Sequence, residues 1–325
     1  MKPAFSVIFL TTLIGAGQGL FLALFGALLL ARFGLLPEQS NTFHALGGVL
    51  VLFLSGLGLL ASFFHLGRPE RAWRSAAMWR TSWLSREVIV LPAFMGVVLC
   101  YAAAFWADWR AALFSLPYGL VIDLPLLLGA LAAVLALLLF LCTGMIYACL
   151  PFLREWHSPL TVANYLLLGC ASGCTLAAAY AATVAPALAR FYVLWALGLT
   201  MLAWLGRSAS LWRNRRLRPK TTLQTAIGIK HPRIVQKSAG FLGGSFNTRE
   251  FFHGQTPTVL RLVKWFFIAC TFPLPMLLLQ LGMEASASAW LVGAFAVQYL
   301  GLLAERWFFF AQANHPQNLY YQVIH

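Results

Sequence analysis

Acidic residues are the scarcest feature of this sequence. Asp and Glu number 9 in 325 residues, and charged residues of both signs make up only 10%. Soluble domains carry about 25% charged residues, so a soluble globular enzyme is excluded. At 61% hydrophobic residues, so is a disordered chain. No Cys-x-x-Cys occurs among Cys100, Cys142, Cys149, Cys170, Cys174 and Cys270, which removes the zinc-ribbon and ferredoxin spacings. All six lie in apolar runs and read as small packing residues, including Cys170 and Cys174 one helical turn apart. No histidine falls at mid-span, and His44 and His65 stand at opposite ends of one apolar run, so a transmembrane b-type haem is not expected. The stretch GFLGGSFNT lacks the lysine of a phosphate-binding P-loop. Ionisable residues well inside the apolar runs are scarce, with Asp123 near a run's end beside Pro125. That scarcity, and the lack of a clear internal repeat, count against an ion-coupled transporter.

What is present is eight apolar runs, at about 5–31, 43–64, 87–107, 120–148, 160–184, 189–211, 262–282 and 287–310. Each is long enough to cross a ~30 Å hydrocarbon core as a helix and too long for a barrel strand. The expected fold is an all-α, polytopic membrane protein, an eight-transmembrane-helix bundle. The first run is too long for a signal peptide. The net charge of +14 would suggest nucleic acid in a soluble protein. Here it is a sidedness signal, because Lys and Arg collect in cytoplasmic loops. With the N-terminus inside, 20 of the 23 basic residues fall on the inner side, leaving Arg32, Arg110 and Arg190 outside. Both termini are therefore expected in the cytoplasm, with lipid and not nucleic acid as the surroundings.

Two connections stand apart from the other, short ones. In 65–86, Trp73, Trp79 and Trp83 interleave with Arg71, Arg74 and Arg80, which suits a segment at the membrane interface. The connection 212–261 begins with RNRRLRPK and mixes turns, aromatics and charge, which argues against disorder. The chain is thus expected to be one membrane domain, 1–325, with 212–261 as a cytoplasmic docking loop. Arg215, Arg216, Lys220 and Arg233 would steer an acidic partner surface or anionic lipid heads.

His65 ends the second run and Glu87 begins the third, both at the cytoplasmic interface, with Arg68, Arg71 and Arg86 nearby. Histidine exchanges a proton near neutral pH and glutamate can relay one. Such a pair in an aromatic-rich boundary suits a quinone, which needs two hydrogen-bonded oxygens and two protons per reduction. Residue chemistry alone leaves a plainer reading open. His65 can be an interfacial helix-end residue, and Glu87 a first-turn acid behind a Ser85 cap.

The stretch FHLGRPERAW…SWLSRE, 64–87, closely resembles the signature region of the membrane-anchor subunit of the DMSO reductase family of molybdoenzymes. The eight-span layout is also similar. The resemblance implies an anchor in a bacterial cytoplasmic membrane that exchanges electrons between quinone (ubiquinone or menaquinone) and a four-cluster iron–sulfur subunit, itself wired to a molybdopterin catalytic subunit. It places the quinone-site histidine on His65 and the essential glutamate on Glu87. Arg68, Arg71 and Arg86 would then bind the quinone or stabilise its reduced anion. No haem, iron–sulfur cluster or other metal is expected in this chain, which would be inactive alone. The stretch 224–254, QTAIGIKHPRIVQKSAGFLGGSFNTREFFHG, looks like the long loop of the anchor in the cytoplasmic sulfite:quinone oxidoreductase branch, and the inward orientation favours that branch. The alternatives are a quinol-oxidising anchor of a DMSO or other S- or N-oxide reductase, an anchor of the polysulfide-reductase type, whose pattern is not seen, and a transporter.

Overall fold

The structure, a computed structural model, describes residues 1–109, 111–115, 121–218, 221–235, 237, 250–285 and 287–320, the side chains of Ser115, Gln317 and Tyr320 apart. Arg110, Lys220 and the stretch GFLGGSFNT lie outside the described residues.

The apolar runs form helices α1 (Phe5–Arg32), α2 (Asn41–Phe63), α3 (Trp83–Trp106), α4 (Leu124–Ala148), α5 (Pro159–Val184) and α6 (Pro186–Arg215). After the short α7 (Leu223–Ile227) come α8 (Pro257–Thr271), α9 (Pro273–Ala285) and α10 (Ser288–Ala311). With α8 and α9 counted as one broken span, eight spans are long and apolar enough to cross a membrane. The protein is an all-α, polytopic membrane protein.

Helix starts follow local chemistry. Ser40, Ser82, Asp123, Ser158 and Thr256 each accept a backbone N–H as N-caps. Pro159, Pro186 and Pro257 open helices where the missing N–H costs nothing. The cap of α3 is Ser82 and not Ser85, so the helix begins four residues before the expected position. Glu87 accordingly sits in its second turn rather than at its mouth.

The break in span seven has an identifiable cause. Pro273 and Pro275 cannot donate to the preceding turn. The side chain of Gln298 on α10 donates to the Thr271 carbonyl (3.3 Å) and to the Thr200 hydroxyl (3.1 Å), so the interrupted backbone finds a partner inside the protein.

The bundle is knit at its centre by α1 crossing α5. Gly15 and Gly19 face Gly169 and Gly173, small residues four apart on both helices. A Cβ on Gly19 would lie 2.1 Å from the Gly169 carbonyl oxygen, and one on Gly173 2.1 Å from the Gly19 carbonyl carbon. Only glycine permits this backbone approach, which in lipid supplies the packing that a hydrophobic drive does not.

The two ends differ. One carries Met1, residues 312–320, the connections 64–82 and 149–158 and the described parts of 216–256, and is called here the basic end. The Met1 ammonium donates to the Ala313 carbonyl (2.8 Å), and the Arg213 guanidinium donates to the carbonyls of Arg154 (3.1 Å) and His157 (2.9 Å). A ten-residue 3₁₀ segment, Pro69–Met78, lies along this end with Trp73 exposed. Trp79 is exposed just beyond it, and Arg74, Arg80 and Arg86 stand over the rings of Trp73, Trp79 and Trp83.

The opposite, outer end holds an antiparallel pair that the sequence did not announce, β1 (Ala112–Ser115) with β2 (Val121–Asp123). There Arg32 pairs with buried Asp123. His44 is fully buried between Tyr101 (2.9 Å) and Gln39 (3.2 Å), stacked on Phe105.

One expectation is corrected. The spans are not poor in buried charge at the basic end. Arg207 of α6 and Arg306 of α10, counted above with the loops, are buried and both bind the Glu305 carboxylate, at 2.7 and 2.9 Å. The basic asymmetry survives without these two, and the buried triad is a feature of the interior.

Candidate functional site

His65 follows the end of α2, its N–H bonded to the Ser62 carbonyl (3.3 Å). Its side chain lines a cavity of ≈ 590 Å³ with Met1, Lys2, Pro3, Ala4, Val7 and Glu250. That volume lies in the 300–1,000 Å³ range of small-molecule sites. Lys2 is held there by its backbone N–H, which donates to the Glu250 carbonyl (2.9 Å). Partial burial pushes the His65 imidazole below its ordinary value, so it is neutral near pH 7 and offers one N–H donor.

Glu87 points elsewhere. Its carboxylate accepts from the Thr143 hydroxyl of α4 (2.5 Å), inside the bundle. It lines a second cavity of ≈ 30 Å³ between α1, α3, α4, α5 and α10, with polar lining from Thr11, Thr12, Gln18, Thr143, Ser172 and Arg306. This volume admits about two waters and no quinone ring. The two cavities are one turn apart on α1, where Val7 lines the first and Thr11 the second, and the Thr11 hydroxyl donates to the Val7 carbonyl (2.9 Å). The structure therefore puts His65 on a ligand-sized cavity and Glu87 on a water-sized one immediately behind it.

The three arginines stand outside both cavities. Arg86 donates to the carbonyls of Trp79 and Arg80, each at 2.9 Å, and covers Trp83 at 4.1 Å, fastening the connection to α3. Arg71 approaches Glu70 at 3.9 Å with both side chains exposed. Arg68 is the exposed residue that precedes the 3₁₀ segment. The cation that does line the His65 cavity is Lys2, which sequence reasoning passed over because it lies 63 positions away.

Sequence reasoning also missed the polar interior behind Glu87. Arg306 stands over the Tyr165 ring (3.9 Å), which stacks on Tyr147 (5.7 Å). The signal was a Glu-Arg pair, Glu305 and Arg306, set inside the apolar stretch of the last span. Among the described residues no group of three or more His, Cys, Asp or Glu is placed to hold a metal ion.

Residues 1–233 match the family described as DMSO reductase anchor subunit (DmsC). The whole chain aligns with the C subunit of sulfite dehydrogenase from Allochromatium vinosum, 55% identical over 324 residues and spanning 100% of both chains. An eight-span bundle of this layout, matched over its first 233 residues and along its full length, belongs to the DMSO reductase anchor subunit family.

Proposed function

We propose that this chain is the quinone-reactive anchor of a cytoplasm-facing molybdopterin and iron–sulfur complex that oxidises sulfite. The full-length 55% identity to a sulfite dehydrogenase component supports the substrate. The positive-inside distribution of Lys and Arg supports the side. The observation that carries the quinone reading is the ≈ 590 Å³ cavity with His65 and Lys2 on its wall, next along α1 to the water-sized cavity that Glu87 lines.

In this reading the quinone ring enters the His65 cavity from the membrane interface. The neutral imidazole donates to one ring carbonyl. Lys2 offsets the negative charge that builds on the oxygen as the ring is reduced. Glu87 supplies protons from behind, held in place by Thr143. Electrons come two per turnover from the four-cluster iron–sulfur partner, docked on the basic end through 212–261, where Arg215, Arg216 and Arg233 attract an acidic surface. Arg68 and Arg71, outside the cavity, add positive potential on the connection that follows His65, and Arg86 fastens that connection to α3. The chain holds no redox metal of its own in this reading, so electron transfer needs the partners.

The test is quinone-linked sulfite turnover by the assembled complex. His65→Ala and Glu87→Gln should each lower it by about 10²- to 10⁴-fold, the usual range for a lost proton-transfer group. Reduction of a soluble artificial acceptor should continue. Normal quinone turnover in both variants sinks the site assignment. The family match also names DMSO reductase, so the same complex is assayed with quinol and DMSO. Turnover there without sulfite oxidation reverses the direction of electron flow.

A further inference from the structure

The interior behind Glu87 does not end at Glu87. The cavity it lines includes Arg306. Arg306 also lines a third cavity of ≈ 10 Å³, enclosed by Glu155, Thr161, Asn164, Arg207, Ser210, Glu305 and Phe309. Glu155 in turn lines the wide pocket of ≈ 660 Å³ on the basic end, beside Arg154, Arg218 and His315. Consecutive spaces share a wall residue at every step from open solvent to Glu87.

The narrow part of this series is built for water. A volume of ≈ 10 Å³ matches about one water and ≈ 30 Å³ about two. Among the described residues, Asn164 Oδ1 and Arg207 Nη2 are buried with no protein hydrogen-bond partner, and both residues wall the third cavity. They are 5% and 3% exposed. A buried polar atom left without any partner keeps its full desolvation cost, and bound water is the usual remedy.

Resting on the quinone reading above, we propose that this series of water-sized cavities is the proton route to Glu87, entered at Glu155 and ordered by the Arg207–Glu305–Arg306 triad. Each proton transferred moves as follows. A quinone oxygen gains a proton and Glu87 loses one. The adjacent water re-protonates Glu87, the vacancy passes outward along the waters, and solvent at Glu155 fills it. Two electrons from the iron–sulfur partner and two protons complete the quinol. Two guanidiniums hold Glu305 as a fixed acceptor that orients water, so it is a positioning residue and not the moving acid. The triad sums to one positive charge, which opposes an excess proton moving inward but favours a negatively charged vacancy moving outward.

The test uses the assembled complex in quinone-linked turnover. Asn164→Leu fills the third cavity with apolar volume, and Glu155→Gln removes the entry acid from a partly exposed position. Both should lower the quinone-linked rate by about 10²-fold. They should also raise the solvent deuterium isotope effect, leave KM for quinone unchanged, and regain activity with a small permeant weak acid. A rate that stays normal, or falls without a larger isotope effect and without rescue, overturns the route. Should Asn164→Leu not assemble, Glu155→Gln with its rescue decides alone. Glu87→Gln separates the two ideas. If that variant and His65→Ala both keep quinone turnover, the quinone reading fails, and if Glu87→Gln alone keeps it, the route to Glu87 fails. If Glu87→Gln is inactive while Asn164→Leu and Glu155→Gln run normally, the route alone fails.

Discussion

Both ends of the bundle bury polar groups, and they treat them differently. At the outer end most of the buried groups meet protein directly, although Asn41 Oδ1 is buried there without a hydrogen-bond partner. Arg32 meets Asp123, Asp123 also caps α4 at Leu126 (2.9 Å), and His44 sits between Tyr101 and Gln39. The Tyr180 hydroxyl donates to the Phe43 carbonyl (2.7 Å). At the basic end, Glu305 holds two guanidiniums while Arg207 Nη2 and Asn164 Oδ1 face small spaces. Burial that is matched pair by pair rigidifies. Burial that leaves atoms facing room for water makes a medium through which protons move. The cavity with His65 opens at the same end. The chemistry is therefore expected at the basic end, with the outer end as its support.

Substitutions can break that contrast. The largest effect belongs to neither end. Gly173→Val at the α1–α5 crossing would drive a Cβ to 2.1 Å from Gly19, so no folded bundle should accumulate in membranes, as read on a native gel. Next is Glu305→Ala, which leaves two buried guanidiniums uncompensated and should cost about 3–5 kcal/mol. Its readout is thermal stability of the purified complex. At the outer end Tyr101→Phe removes one hydrogen bond to His44 and should cost about 1 kcal/mol with no change in quinone turnover. A turnover defect there would erase the functional difference between the ends. Arg71→Ala, on an exposed pair, should change stability by about 0–1 kcal/mol. Turnover in proteoliposomes should generate no membrane potential if, as proposed, protons are taken up and released at one end. A potential-sensitive dye that responds to turnover would show that the outer end is also wired.

The spans were legible because hydropathy over twenty residues is a local property, whereas the start of α3 was not, since Ser82 and Ser85 both precede the apolar run and the helix is capped by Ser82. His65 and Glu87 were singled out through the resemblance of 64–87, with their surroundings hidden. Nothing in 64–87 tells that the imidazole lines a wall with Lys2, or that the Glu87 carboxylate turns to Thr143, since one partner comes from the segment before α1 and the other from α4. The buried triad was misread for the same reason. Arg207 and Arg306 near helix ends look like loop charges until α6 and α10 lay them against Glu305. The glycines four apart on α1 and α5 went unread, and such spacing in any case names no partner helix. The break in span seven went unanticipated within the single run 262–282, and the rescuing Gln298 could be found only in three dimensions.

The glycine crossing also sets a clock. Gly173 is synthesised 154 residues after Gly19. At about 5–20 residues per second, the glycine face of α1 waits about 8–30 s for its mate. During that interval α1 can pack on α2, but its narrowest face meets only lipid or another nascent chain. Assembly is thus exposed to wrong pairing early, and a translation pause between α1 and α5 should lower the yield of complex more than the same pause placed after α5.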